Sequence, residues 1–182
     1  MIIEVKSADE LWKGLDMTER DGSSSRGVCA CGSPLDERDR QIRFRLPDPV
    51  LDLGPADLEA RRWGNDVMMA VEGVGAFVRC LLPVKLSHGF SATFALWLAV
   101  HPSDLRTAYE VWTAPEYADL ELAGFIANAV EPWGAELLAA PARAIVKDPE
   151  HVPYIVETSH ELLGQVITNE WPHREVLNAM PR

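Results

Sequence analysis

Ala76-Phe77-Val78-Arg79-Cys80-Leu81-Leu82-Pro83-Val84, then Ser87-His88-Gly89, then Thr93-Phe94-Ala95-Leu96-Trp97-Leu98-Ala99-Val100: the fold is decided in this stretch. Both apolar runs are rich in the aliphatic, β-branched and aromatic residues that suit a pleated, buried surface, and a short polar turn separates them. A parallel crossover needs about a dozen residues or more, so the spacing predicts an antiparallel hairpin. On the second strand Phe94, Leu96, Leu98 and Val100 share one face and Trp97 takes the other. Arg79 interrupts the first strand in the same way. A cation inside an apolar hairpin requires a carboxylate, a stacked ring or a ligand, and Glu157 is the expected internal partner.

Upstream, Gly73-Val74-Gly75 is a turn signal that follows an apolar segment at 67–71 and a helical turn at 58–63 after Gly54-Pro55. Residues 41–46 alternate, with Ile42, Phe44 and Leu46 on one face, and Pro47 and Pro49 end that strand. Residues 27–182 form the main domain. Ahead of it, residues 1–26 read as an appendage: a β-prone run at 2–5, a helix over 8–17 opened by the capping box Ser7-Ala8-Asp9-Glu10, and a linker at Asp21-Gly22-Ser23-Ser24-Ser25.

Downstream, Ser103 is the expected N-cap of a helix whose buried stripe is Leu105, Ala108, Tyr109 and Trp112, with Pro115 as its stop. Periodicity leaves 124–130 open between helix and strand, and places short strands at 136–140, 142–147 and 154–157. Thr158-Ser159-His160-Glu161 is a capping box for a last helix carrying Leu162, Leu163, Val166 and Ile167, broken by Pro172, with a further turn or two around Val176, Leu177 and Met180. This order predicts an α+β fold: a mostly antiparallel sheet with helices packed on one face.

The chain has 182 residues, 47% hydrophobic and 25% charged, the composition of a globular domain. Its 17 Lys and Arg against 28 Asp and Glu give a net charge of −11, a field that repels nucleic acid and anionic membrane surfaces and suits a basic protein, a cation or a neutral small molecule. The longest apolar run, residues 94–100, is far below the roughly 20 residues of a membrane-spanning helix. Glu4, Lys6, Asp9 and Glu10 occupy the place of a signal peptide's apolar stretch, so the expected compartment is the cytoplasm. Three cysteines, an odd number, fit reduced thiols there.

Cys29-Ala30-Cys31-Gly32, the strand at 77–84, the segment 94–100, Trp112, Gly124-Phe125-Ile126-Ala127-Asn128 and Pro153-Tyr154-Ile155-Val156-Glu157 with His160 and Leu162 resemble, in that order, the bacterial DUF2199 family. The resemblance spans about residues 27–167. It implies a domain without an assigned reaction, so no catalytic residue is carried over. The family opens with cysteines two residues apart and often a following His; here one residue separates Cys29 from Cys31, and Ser33-Pro34-Leu35 holds no His.

Chemistry-bearing patterns are sparse. A structural zinc site needs about four Cys or His ligands, and the candidates are Cys29, Cys31, Cys80 and His88, against the plainer reading of two loop thiols and a small core residue. No metal is assigned and no cofactor is expected. None of the cysteines has an adjacent base, His160-Glu161 lacks a second His because position 164 is Gly, and Gly73-Val74-Gly75 precedes a strand instead of a helix and meets Val78 where a dinucleotide motif needs Gly. Asp48, Asp52, Asp57, Glu59, Glu116, Asp119 and Glu121 match no calcium loop and read as solvated surface. The six tryptophans, Trp12, Trp63, Trp97, Trp112, Trp133 and Trp171, serve either core or recognition.

The sequence therefore leads to a non-catalytic cytoplasmic binding module. Its expected ligand-binding residues are Arg79, Trp97, Trp112, Glu157 and His160, its expected partner a protein or small molecule. Two alternatives stand beside it: an immunity-like acidic protein that engages a basic partner by charge, and an enzyme on a small polar substrate with Arg79 as anion anchor and His160 or Glu157 as acid/base.

Overall fold

The computed structural model describes Gly27–Val28, Pro34–Leu35 and residues 41–179. The expected strand at 2–5, helix at 8–17 and linker at 21–25, with Cys29, Cys31 and Met180, lie outside the described residues. In chain order the strands are β1 Gly27–Val28, β2 Pro34–Leu35, β3 Gln41–Arg43, β4 Arg62–Gly64, β5 Met68–Val71, β6 Gly75–Leu86, β7 Phe90–Val100, β8 Glu121–Ile126, β9 Pro141–Ile145, β10 Tyr154–Glu157 and β11 Glu170–Trp171. The helices are α1 Pro55–Arg61, α2 Pro102–Val111, α3 Glu161–Thr168 and α4 His173–Ala179.

The central hairpin forms in the expected sense. β6 and β7 pair antiparallel from Ala76↔Val100 to Leu86↔Phe90, with Arg79 directly opposite Trp97. The turn at 87–89 puts both His88 (φ 67°) and Gly89 (φ 78°) in the left-handed region.

The rest of the sheet is not the expected open layer. β7 pairs with β8, β8 with β9 and β9 with β10, all antiparallel, and β10 then lies parallel to β6 at Tyr154↔Leu81. The five strands β6-β7-β8-β9-β10 close a mixed barrel. β3 runs parallel to β7, β11 runs parallel to the far end of β6, and β5 and β4 extend the sheet from the near end of β6. The prediction of a mostly antiparallel sheet with helices on one face is thus corrected. The physical reason is the length of the hairpin: strands of 12 and 11 residues match each other throughout, but on the opposite edge each outruns its other neighbours and takes several of them in turn, and strand twist carries the ends round into closure.

Burial follows from closure. Residues 76–82 are buried without a break, which requires cover on both faces of the strand. A large core holds Val78, Cys80, Leu82, Phe94, Leu96 and Leu98 together with Leu105 and Trp112 from the α2 region and Leu163 and Val166 of α3. A smaller one, on the outer side of the hairpin, gathers Val50, Met69, Val71, Phe77, Trp97 and Ala127.

Several local expectations shift. Pro102 takes the first position of α2 and the ring Nδ1 of His101 accepts from the Ser103 N–H at 3.3 Å, so His101 is the N-cap and not Ser103. The open segment 124–130 continues β8 to Ile126 and then turns. The expected strand at 136–140 is a 3-10 turn, Ala135–Leu137, because left-handed backbone at Gly134 (φ 59°) and Ala139 (φ 62°) brackets it. Of the expected strand 41–46 only Gln41–Arg43 pairs as strand, and 47–50 turn across the outer core.

Close approach fixes one glycine in the ring. A Cβ on Gly124 of β8 would sit 2.1 Å from the Ala99 carbonyl oxygen and 3.1 Å from Leu98 Cγ. Gly124→Ala is therefore expected to pry β8 from β7 and to lower the unfolding free energy by about 2 kcal/mol, read as a shift in the urea midpoint at unchanged slope. An unchanged midpoint contradicts this packing.

Candidate functional site

Arg79 and Trp97 meet as the sequence implies, but inside the protein. Trp97 is fully buried and Arg79 is 1% exposed, with the guanidinium carbon 4.2 Å from the centre of the indole ring. Arg79 Nε donates to the Asp66 carbonyl (2.6 Å), and Nη1 donates to the carbonyls of Phe44 (2.7 Å) and Ala95 (3.1 Å); Trp97 Nε1 donates to the same Phe44 oxygen at 3.2 Å. Burial, with the positive charge of Arg43 adding to it and Asp66 opposing it, brings the Arg79 guanidinium down to about 9. It is still a cation at neutral pH. The expected pairing with Glu157 does not occur: backbone carbonyls and an indole face hold the charge.

Glu157 lies at the exposed end of β10 and accepts from Arg143 Nη1 at 3.0 Å. Arg143 also grips Glu121, and its guanidinium holds the Glu121 carboxyl below the usual carboxylate range. His160 is the N-cap of α3, its Nδ1 accepting from the Leu163 N–H at 3.3 Å. The expected capping box does not form; Thr158 Oγ1 donates to the Pro141 carbonyl and accepts from the His160 N–H. Trp112 sits at the C-terminal end of α2, largely buried against Tyr117 with ring centres 4.8 Å apart. Of the five expected binding residues, the structure brings together Arg79 and Trp97 only.

The two zinc candidates within the described residues, Cys80 and His88, also separate. Cys80 is buried in the larger core, where burial pushes its thiol up, while His88 sits in the turn beyond Leu86, about 20 Å of strand away. Among the described residues no three His, Cys, Asp or Glu side chains gather as a metal site.

The concave surface lies elsewhere. Two clefts adjoin around the Glu72–Val74 turn and the start of α2, sharing Val74, Gly75, Ala76 and Pro102. The first, about 820 Å³, crosses the outer face of the ring. Its floor follows two cross-strand rows that alternate with buried neighbours: Ala99, Phe125 and Pro141, then Ala123, Arg143 and Glu157. The second, about 650 Å³, runs between β4, β5 and α2. Trp63 of β4 and Tyr109 of α2 form its aromatic wall with ring centres 5.1 Å apart at 64°, and Arg61, Glu72 and Arg106 also line it.

Three of the large apolar side chains left exposed are in these clefts: Phe125 at 55%, Trp63 at 49% and Tyr109 at 46%. Tyr109, expected in the buried stripe of its helix, lies at the margin of that stripe, and only Leu105, Ala108 and Trp112 are covered. Arg61, Arg106 and Phe125 are site residues beyond the expected set. The available signal was Trp63 itself, a large aromatic between Arg61-Arg62 and Gly64 with no apolar run to join. Among the described residues no helix is long and apolar enough to cross a membrane. Comparison of the chain with protein-family models, with curated proteins and with solved structures finds no match.

Proposed function

We propose that this chain is a non-catalytic binding module of the cytoplasm that takes an aromatic or apolar group into the two adjoining clefts. One observation carries this reading. Trp63, Tyr109 and Phe125 are kept half-exposed on concave surface, where a protein selected only for stability and solubility gains nothing from them. Trp63 in particular stands on β4, at the edge of the sheet, a place that invites aggregation unless a ligand or partner uses it. Clefts of about 300–1,000 Å³ with apolar walls and a few polar groups are the usual form of a small-molecule site. The residues offered for an enzyme do not meet: Arg79 is interior, His160 caps a helix and Glu157 is bound to Arg143.

Indole serves as the test probe, titrated into protein labelled with nitrogen-15. The reading expects saturable amide shifts confined to residues 72–76, 101–109 and 123–125, and their loss in Trp63→Ala or Phe125→Ala. Shifts centred elsewhere, or none, contradict it.

A further inference from the structure

Resting on that reading, we infer that the Trp63–Tyr109 cleft is specific for a small planar aromatic anion, a ring system carrying a carboxylate or phosphate. Two features of the cleft combine. The first is its aromatic wall. Edge-to-face packing of Trp63 and Tyr109 fixes both rings while each stays nearly half-exposed, so a flat guest stacks on a surface that is already ordered.

The second is charge. Arg61 and Arg106 line the cleft with one carboxylate, Glu72, which leaves a local excess of one positive charge in a chain of net −11. The two arginines differ in freedom. Arg61 Nε and Nη2 both donate to the Glu72 carbonyl, Nε at 3.0 Å, which anchors that side chain along the wall. Gly73 is what leaves room for it: a Cβ there would lie 2.8 Å from Arg61 Nη2, and the φ of 74° already excludes most side chains. The Arg106 side chain, exposed on α2, has no hydrogen bond or ion pair among the described residues. Its guanidinium fork is available to a carboxylate or phosphate held beside the rings. The neighbouring Phe125 cleft differs, since its Arg143 is already shared between Glu121 and Glu157. Aromatic wall, anchored arginine and unpaired arginine thus coincide in one cleft of a size suited to one or two fused rings.

The experiment compares 2-naphthoate with its neutral amide, 2-naphthamide, on the intact chain, reading amide shifts and tryptophan fluorescence. Adenosine 5′-monophosphate forms a third arm that separates a phosphate source from a carboxylate source. The expected result is that 2-naphthoate shifts residues 70–76 and 102–109 and binds about fivefold or more tightly than the amide, a margin that salt reduces. Arg106→Gln weakens 2-naphthoate far more than the amide and so removes that margin, whereas Trp63→Ala weakens both. Equal affinity for anion and amide, an unaltered margin in Arg106→Gln, or anion binding at residues 123–125 overturns the assignment of charge specificity while indole binding still upholds the module. If neither indole nor any of the three probes shifts either cleft at about 10 mM, a concentration that detects even very weak binding, both readings fall.

Discussion

Arg79→Ala is expected to cost about 4 kcal/mol of unfolding free energy, among the largest effects of any single truncation in this protein. The magnitude follows from what the side chain leaves behind. Three charge-assisted hydrogen bonds go, and their acceptors fare differently. The Phe44 carbonyl keeps the Trp97 indole N–H and the Ala95 carbonyl keeps the Phe44 N–H, but the Asp66 oxygen loses its guanidinium donor. To that orphan is added a cavity against a fully buried tryptophan, and a cavity alone costs a few kcal/mol. Arg79→Met separates the two contributions. It fills much of the volume and removes the expense of burying a charge, so it is expected to recover about half of the loss. Arg79→Lys keeps the charge but has no planar fork to reach three carbonyls on different segments, and it is expected to stay about 2 kcal/mol below the parent. Chemical denaturation followed by tryptophan fluorescence reads all three. A change under about 1 kcal/mol in Arg79→Ala would mean that the guanidinium does not tie β6 to residues 44 and 66.

Asn128→Leu is expected to be comparably severe, about 3–4 kcal/mol, though no cavity is made. Asn128 is fully buried and uses three hydrogen bonds: it accepts from the Trp97 N–H and donates to the Leu46 carbonyl and to Asp48 Oδ1, each at 2.9 Å. Asp48 Oδ2 takes the Ala129 N–H at 2.7 Å, and the Asp48 N–H returns to the Ala127 carbonyl. The amide thus pins the 44–50 segment across the outer core. Leucine repeats the branched outline but is bulkier, so its cost combines the unpaired polar groups with overpacking of a fully buried site. Asp48→Asn is the milder partner variant, since an amide oxygen still accepts one N–H. If Asn128→Leu is neutral in urea, the segment is held by apolar contact alone.

These two positions also show what the sequence made legible. Arg79 and Trp97 stand out as period-two exceptions in apolar strands, and the same alternation that exposes them sets their shared face, which the register matches. What periodicity could not convey is whether that face meets solvent or a second layer. The unbroken buried run of residues 76–82 carried the answer, because a sheet covered on one face alternates and one covered on both does not. The parallel pairing of β10 on β6 was beyond reach for a different reason. It rests on a single Cα register pair between segments about 70 residues apart, and nothing local encodes so distant a contact.

The clefts were still less legible. They arise where several elements separated in sequence meet, and the residues that matter, Trp63, Tyr109 and Phe125, are single aromatics on three separate elements. Each has an ordinary local explanation, and only their joint exposure on concave surface marks them. Glu157 and His160 mislead in the opposite direction: side chains capable of acid/base chemistry, they are committed to an ion pair and a helix cap.

Closure of the ring is the central claim of the architecture and the one on which the floor of the Phe125 cleft depends, and hydrogen exchange at one amide tests it. The Leu81 N–H points away from β7 and donates to the Pro153 carbonyl at 2.8 Å, just ahead of β10. In a closed barrel it exchanges only through global unfolding, at the pace of Cys80 and Leu82, whose partners lie across the β6–β7 ladder. Exchange of Leu81 at the rate of an exposed edge amide, with Cys80 and Leu82 still protected, would mean an open sheet and would contradict the architecture described.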